Sequence, residues 1–153
     1  MKGFRPITNP MLVGAIELMK SNSTTEHRKM VIEEMLHAKF LSPVVITPTP
    51  EVDENGISKV DSDAKISVPM LTAPDGKHFF MAFTDIEELQ KWKKEEGQQI
   101  FGFSFADYVK MVRTAQDTCQ GFVLNPYSHN LVLTRDMIET IAEHNPQIFK
   151  TEE

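Results

Sequence analysis

The stretches VPMLTAPDGKHFFMAFTDIEELQKW, residues 68–92, and GFVLNPYSHNLVLTRDMIETI, residues 121–141, decide the fold. In the first, Ile66, Val68 and Met70 alternate with Ser67 and Pro69, which predicts a strand with one buried face and an edge or bulge at Pro69. Asp75-Gly76 turns the chain into a second strand, His78 to Phe83, with Phe79, Met81 and Phe83 on one face. Thr84 and Glu87 read as a capping box opening a helix that buries Ile86, Leu89 and Trp92 and stops at Gly97.

Between the two stretches, Ile100 to Phe103 reads as a strand. Ser104 with Asp107 then opens a helix buried through Tyr108, Val109 and Val112. Gly121 to Asn125 is strand again, paired with Leu131 to Leu133 across a turn from Pro126 to Asn130. Thr134 caps a last helix whose core face is Met137, Ile138, Ile141 and Ala142. Strand-helix-strand-helix-strand from Phe79 to Asn125 implies two right-handed parallel crossovers, with antiparallel hairpins on either side.

Upstream, Asn9-Pro10 starts a helix with Leu12, Ala15, Ile16 and Met19 on one face. Ser23 and Glu26 form a capping box for a second, which carries Met30, Val31, Met35, Leu36 and Ala38 inward and ends near Phe40. After Pro43, the run Val44 to Thr47 reads as a short strand. Residues 47–65 read as an acidic mobile loop or loose hairpin with its tip at Asn55-Gly56. Glu51, Asp53, Asn55, Gly56 and Ser62 imitate a calcium loop. Such a loop wants Asp first, a bidentate Glu last and a helix on each side, and this segment has none of them.

The expected fold class is therefore α+β: a single domain over residues 1–153, with a mixed sheet and two N-terminal helices. Its length suffices for a hydrophobic core without staples. Cys119 is the single cysteine, which excludes an intramolecular disulfide and a thiolate metal cluster and fits a reducing compartment. No apolar run is long enough for a membrane span, and the N-terminus lacks the apolar core of a signal peptide. The cytoplasm is the expected location, with no membrane partner. A net charge of −6 argues against nucleic acid as a partner, because phosphate neutralisation needs Lys and Arg.

No Gly-rich phosphate loop, zinc-protease helix or nucleophile elbow is present, so no cofactor and no catalytic residues are expected. His27, His37, His78, His129 and His144 are scattered, with no pair at ligand spacing, so no metal site is expected; His78 and His129 read as solvent-facing. Cys119 reads as a packing thiol, since the C-terminal end of a helix does not activate it.

Ligands of open sheets with parallel strands gather beyond the carboxyl ends of those strands, which carry Thr84, Ser104 and Asn125. Two helices start there, and their free amides would favour a small anion or carboxylate. Against this, Thr84 and Ser104 are sufficient as caps, Asn125 as a pre-proline turn residue, and Asp85 and Asp107 would repel an anion. Tyr127 and His129, in the turn from Pro126 to Asn130, are the candidates for contact with a protein partner or a second copy of the chain, Tyr127 being a better anchor than Phe101, Phe103 or Phe105.

In order and spacing, Pro69-Met70-Leu71 with Asp75-Gly76, Phe83-Thr84 before a helix, and Gly121 through Asn125-Pro126 to Leu133-Thr134 resemble the bacterial SseB N-terminal domain family. The resemblance covers about residues 44–141. Tyr127 stands where phenylalanine is usual, and Ser128-His129 where glycine with an acid is common. The resemblance implies a bacterial cytosolic protein named for a serine-sensitivity phenotype, with no catalytic residues to carry over. The expected function is a binding or regulatory module acting through a protein partner. The alternative is a small-molecule-binding protein or weak enzyme using the strand-end cleft.

Overall fold

The computed structural model describes residues 7–47, 51–52, 58–59, 65–92 and 99–149. Its helices are α1 (Pro10–Ser21), α2 (Thr25–His37), α3 (Ile86–Trp92), α4 (Phe105–Ala115) and α5 (Arg135–His144). Its strands are β1 (Lys39–Thr47), β2 (Glu51–Val52), β3 (Ser58–Lys59), β4 (Lys65–Ser67), β5 (Met70–Thr72), β6 (His78–Ala82), β7 (Gln99–Ser104), β8 (Gly121–Leu124) and β9 (Leu131–Thr134). Short 3₁₀ turns follow α4 at Gln116–Thr118 and α5 at Pro146–Phe149. The chain is α+β, as the sequence predicts.

The strands form a sheet ordered β5-β6-β8-β9, a second ordered β4-β1-β7, and a β2-β3 pair. The β2-β3 register, Glu51 with Lys59 and Val52 with Ser58, makes part of the acidic segment a hairpin. Its expected tip, Asn55-Gly56, lies outside the described residues, as does the expected helix stop at Gly97.

Of the two expected parallel crossovers, one exists. β6 pairs with β8 in parallel, whereas β7 pairs antiparallel with β1 in the other sheet. The cause is β1, which starts at Lys39 and not after Pro43. Leu41 exchanges both backbone hydrogen bonds with Phe83, at 2.8 and 2.9 Å, so its polar groups face away from β7. Pro43, two residues on, has the same orientation, and its missing N–H deprives β7 of nothing. A proline that reads as a boundary is accommodated inside the strand. β6 already has β5 and β8 as neighbours, which leaves β7 to pair with β1.

Other differences are local. α2 is capped by Thr24, whose hydroxyl accepts from the His27 amide at 3.0 Å, while Ser23 accepts from Arg28 instead. The helix ends at His37, because Ala38 is already extended. Met30, Met137 and Ile86 are exposed, not buried. Ile66 and Met70 are exposed too, since β4 and β5 are edge strands.

Phe80, Ala82, Phe122, Leu124 and Leu133 line one face of the β5-β6-β8-β9 sheet. The helices α1, α2, α4 and α5 cover it with Leu12, Ile16, Met35, Tyr108, Val112 and Ile138. Each such side chain, fully buried, contributes about 1.5–3 kcal/mol. Tyr108 stacks on Phe122 with centroids 4.7 Å apart and donates its hydroxyl to the Met81 carbonyl at 2.7 Å. Burial pushes that phenol well above its ordinary range, so it stays neutral. On the opposite face, Met81, Phe83 and Leu89 pack with Leu41, Trp92 and Ile100. Covered on both faces, β8 is buried at every residue, and the turn that follows it leaves directly from the core.

Candidate functional site

The strand ends bring two of the three expected ligand residues together. Thr84, just beyond β6, and Asn125, just beyond β8, are both fully buried. The Asn125 carboxamide oxygen accepts from the Thr84 backbone N–H at 3.0 Å, which fixes the amide orientation. Its nitrogen then donates to the Thr84 hydroxyl at 3.0 Å and faces Nδ1 of His129, also at 3.0 Å. The Thr84 hydroxyl in turn donates to Asp85 Oδ2 at 3.0 Å. The chain of donors and acceptors is complete, as a buried network requires.

Asp85, not Thr84, caps α3: its Oδ1 accepts from the Glu88 N–H at 3.0 Å. The expected Thr84-Glu87 capping box is therefore absent. Ser104 behaves as a cap alone, in a reciprocal box with Asp107 at 3.2 and 2.9 Å. Among the described residues its side-chain hydrogen bonds stay within that box, and none joins it to Thr84 or Asn125.

The same cluster fastens the turn between β8 and β9. The Asn125 carbonyl accepts from Ser128 N at 3.1 Å and Asn130 N at 2.8 Å. Asn125 and Asn130 are both left-handed, at φ 49° each, a conformation asparagine tolerates better than other side chains. Ser128 donates to Glu88 Oε1 at 2.6 Å, tying the turn to α3. His129 was expected to face solvent, yet its side chain is only 12% exposed and reaches Glu17 of α1 at 3.4 Å. Asn9 completes the frame. Its side chain does not cap α1 but donates to the carbonyls of Thr84 and Lys39 at 2.8 and 2.9 Å.

His129 Nδ1 faces an amide nitrogen that can only donate, so it must be the unprotonated atom and Nε2 must carry the hydrogen. A long-range proton–nitrogen spectrum of the neutral imidazole will show that tautomer; an Nδ1–H form would contradict the network.

Burial pushes the Glu88 carboxyl up, but the Ser128 hydroxyl and Lys91 outweigh it and hold it below its ordinary value. A lowered folded-state value stabilises the fold above the unfolded pKa of about 4.3 and is lost as pH falls through the folded value. Ser128→Ala will move the Glu88 titration upward in a carboxyl carbon spectrum; an unchanged midpoint would show that Ser128 is not its partner.

The one aromatic left free here is Tyr127, 49% exposed at the tip of the turn. Among the described residues, a cavity of about 110 Å³ is lined by Met19, Ile32 and Met137, and an open depression of about 440 Å³ by Val68, Met70 and Met111. Asp85, Glu88 and Glu17 place carboxylates beside the strand ends, Glu88 paired with Lys91 at 2.9 Å. Among the described residues, no group of three or more His, Cys, Asp or Glu side chains is placed to hold a metal, and no helix is long and apolar enough to cross a membrane. Cys119 is buried, its thiol donating to the Gly121 carbonyl at 3.1 Å.

Asn9, Asp85, Glu88 and Ser128 escape a sequence reading as members of one site. Each is an ordinary cap, helix or turn residue in its own segment. Their meeting depends on the contact of α1 with the strand ends.

The family model described as SseB protein N-terminal domain matches residues 12–140. The chain belongs to that family. No curated protein and no solved structure matches it.

Proposed function

We propose that this SseB-family chain is a cytosolic binding module that recognises a protein partner through the β8–β9 turn, with Tyr127 as its anchor. The observation that carries the proposal is the contrast between Tyr127 and everything around it. Asn125, Ser128, His129 and Asn130 are held by hydrogen bonds to their own turn or to α1, α3 and the end of β6. Tyr127 projects from this frame, half exposed, and among the described residues its hydroxyl has no hydrogen-bond partner.

A large aromatic on a rigid support loses little freedom on binding, which is why tyrosine is enriched among the residues that dominate interfaces. A flexible tip would lose part of that gain to ordering. The polar groups of the strand ends serve the same end. Thr84 and Asn125 bond each other and leave no free donor for a ligand.

The test compares bait proteins in lysate of the source cells. Tyr127→Ala will keep its melting temperature within about 1 °C, as expected for an exposed residue outside the network, yet lose the partner that wild-type protein retains. Equal retention by both would remove Tyr127 as the anchor. If neither retains a protein while a small metabolite raises the melting temperature, the module is a small-molecule receptor.

A further inference from the structure

We propose that the open edge of β5, together with the groove between β5 and α4, binds a short extended peptide that carries an acidic side chain. This surface is independent of Tyr127.

The edge follows from the β5–β6 hairpin. Gly76 N donates to the Ala73 carbonyl at 2.8 Å, and Ala73 N donates to the Lys77 carbonyl at 2.7 Å, with Gly76 at φ +86°. That is a three-residue turn closed by a hydrogen-bonded Ala73–Lys77 pair. Pairs alternate along an antiparallel ladder, so Leu71–Phe79 is hydrogen-bonded while Met70–Phe80 and Thr72–His78 are not. The N–H and C=O groups of Met70 and Thr72 therefore point away from β6. β5 is the end strand of its sheet, and no described strand pairs with that side.

A strand laid along this edge would put alternate side chains on the face where Met70 stands. That face opens into the depression of about 440 Å³, whose walls are Val68, Met70 and Phe80 from the sheet side and Lys110, Met111 and Thr114 from α4. The depression is shallow and open to solvent, which leaves room for an extended chain, and most of its lining is apolar. Backbone bonds to Met70 and Thr72 would fix the register, and the groove would accept one apolar side chain, the division of labour seen in strand addition.

Charge selects the occupant. Lys110 is the one charged residue in the lining, and among the described residues it makes no ion pair. A carboxylate on the incoming strand would complement it. A second copy of the chain fits worse. Two chains of net charge −6 repel. The edge offers the length of β5 alone, which suits a short segment.

The test is selection from a random-peptide display library on immobilised full-length protein. Wild-type protein will enrich peptides alternating β-branched or aromatic residues with Asp or Glu. Lys110→Glu, a change on an exposed helix position, will weaken those peptides by about tenfold or more and enrich Lys- or Arg-bearing ones instead. Thr72→Pro, which removes an outward N–H, will weaken both sets, and Tyr127→Ala will weaken neither. No enrichment, or enriched peptides indifferent to both Lys110→Glu and Thr72→Pro, overturns the proposal. Peptides lost in Tyr127→Ala instead would place recognition at the β8–β9 turn.

Discussion

Asn125→Ala will lower the melting temperature by about 8–15 °C, from a loss of roughly 3–4 kcal/mol in a domain of this size. The truncation removes the acceptor of the Thr84 N–H and the donor to the Thr84 hydroxyl, both in a fully buried place. A buried donor left unpaired costs about 1–3 kcal/mol. Alanine must also hold φ near 49°, where a non-glycine residue other than Asn or Asp loses about 1–2 kcal/mol. Thr84→Val, which keeps the shape and deletes the hydroxyl alone, will cost less, about 1 kcal/mol. Thermal unfolding followed by circular dichroism orders the two variants; a smaller effect for Asn125→Ala than for Thr84→Val would contradict the buried network.

Gly121→Ala will be harsher. Gly121 begins β8 at φ +149°, and a Cβ there would lie 2.0 Å from the Leu133 carbonyl oxygen and 3.0 Å from its carbon. Those are backbone atoms of the paired strand β9, so no side chain can rotate out of the way. Either the β8–β9 ladder opens or the start of β8 moves off β6, and both carry core residues. We expect a loss above about 4 kcal/mol, the range reserved for broken backbone or core constraints. The variant will melt at least about 8 °C lower, at about 2–4 °C per kcal/mol, or will fail to give a cooperative transition. Wild-type-like melting would mean that the two strands separate more readily than their hydrogen bonding indicates.

The elements most legible in the sequence are those with both a local signal and a buried face. The Asp75-Gly76 hairpin, the Ser104-Asp107 capping box and the pairing of Gly121–Leu124 with Leu131–Thr134 were all readable because turn chemistry and periodicity agree. β1 was half hidden by Pro43, whose harmlessness depends on which way Leu41 faces, and that is set by Phe83, far along the chain. The loss of β1 from view is also what turned β7 into an apparent member of a parallel unit.

The candidate site divides the same way. Thr84 and Asn125 were visible as residues at strand ends, but their mutual bonds were not, because a threonine before a helix reads first as a cap. Asp85 takes that role, which frees Thr84 for Asn125. The exposure of Tyr127 was legible from its place between Pro126 and Ser128. The burial of His129 was not, because it depends on Glu17 and Asn125 closing around the ring.

The most direct test of the binding proposal is photo-crosslinking from a benzoylphenylalanine placed at position 127, carried out in the source cells. A discrete adduct with one protein, formed from position 127 and lost when Asn125→Ala loosens the turn below its melting temperature, is the predicted result. No adduct from position 127, or one that persists undiminished in the Asn125→Ala background, would contradict a partner site built on the locked turn.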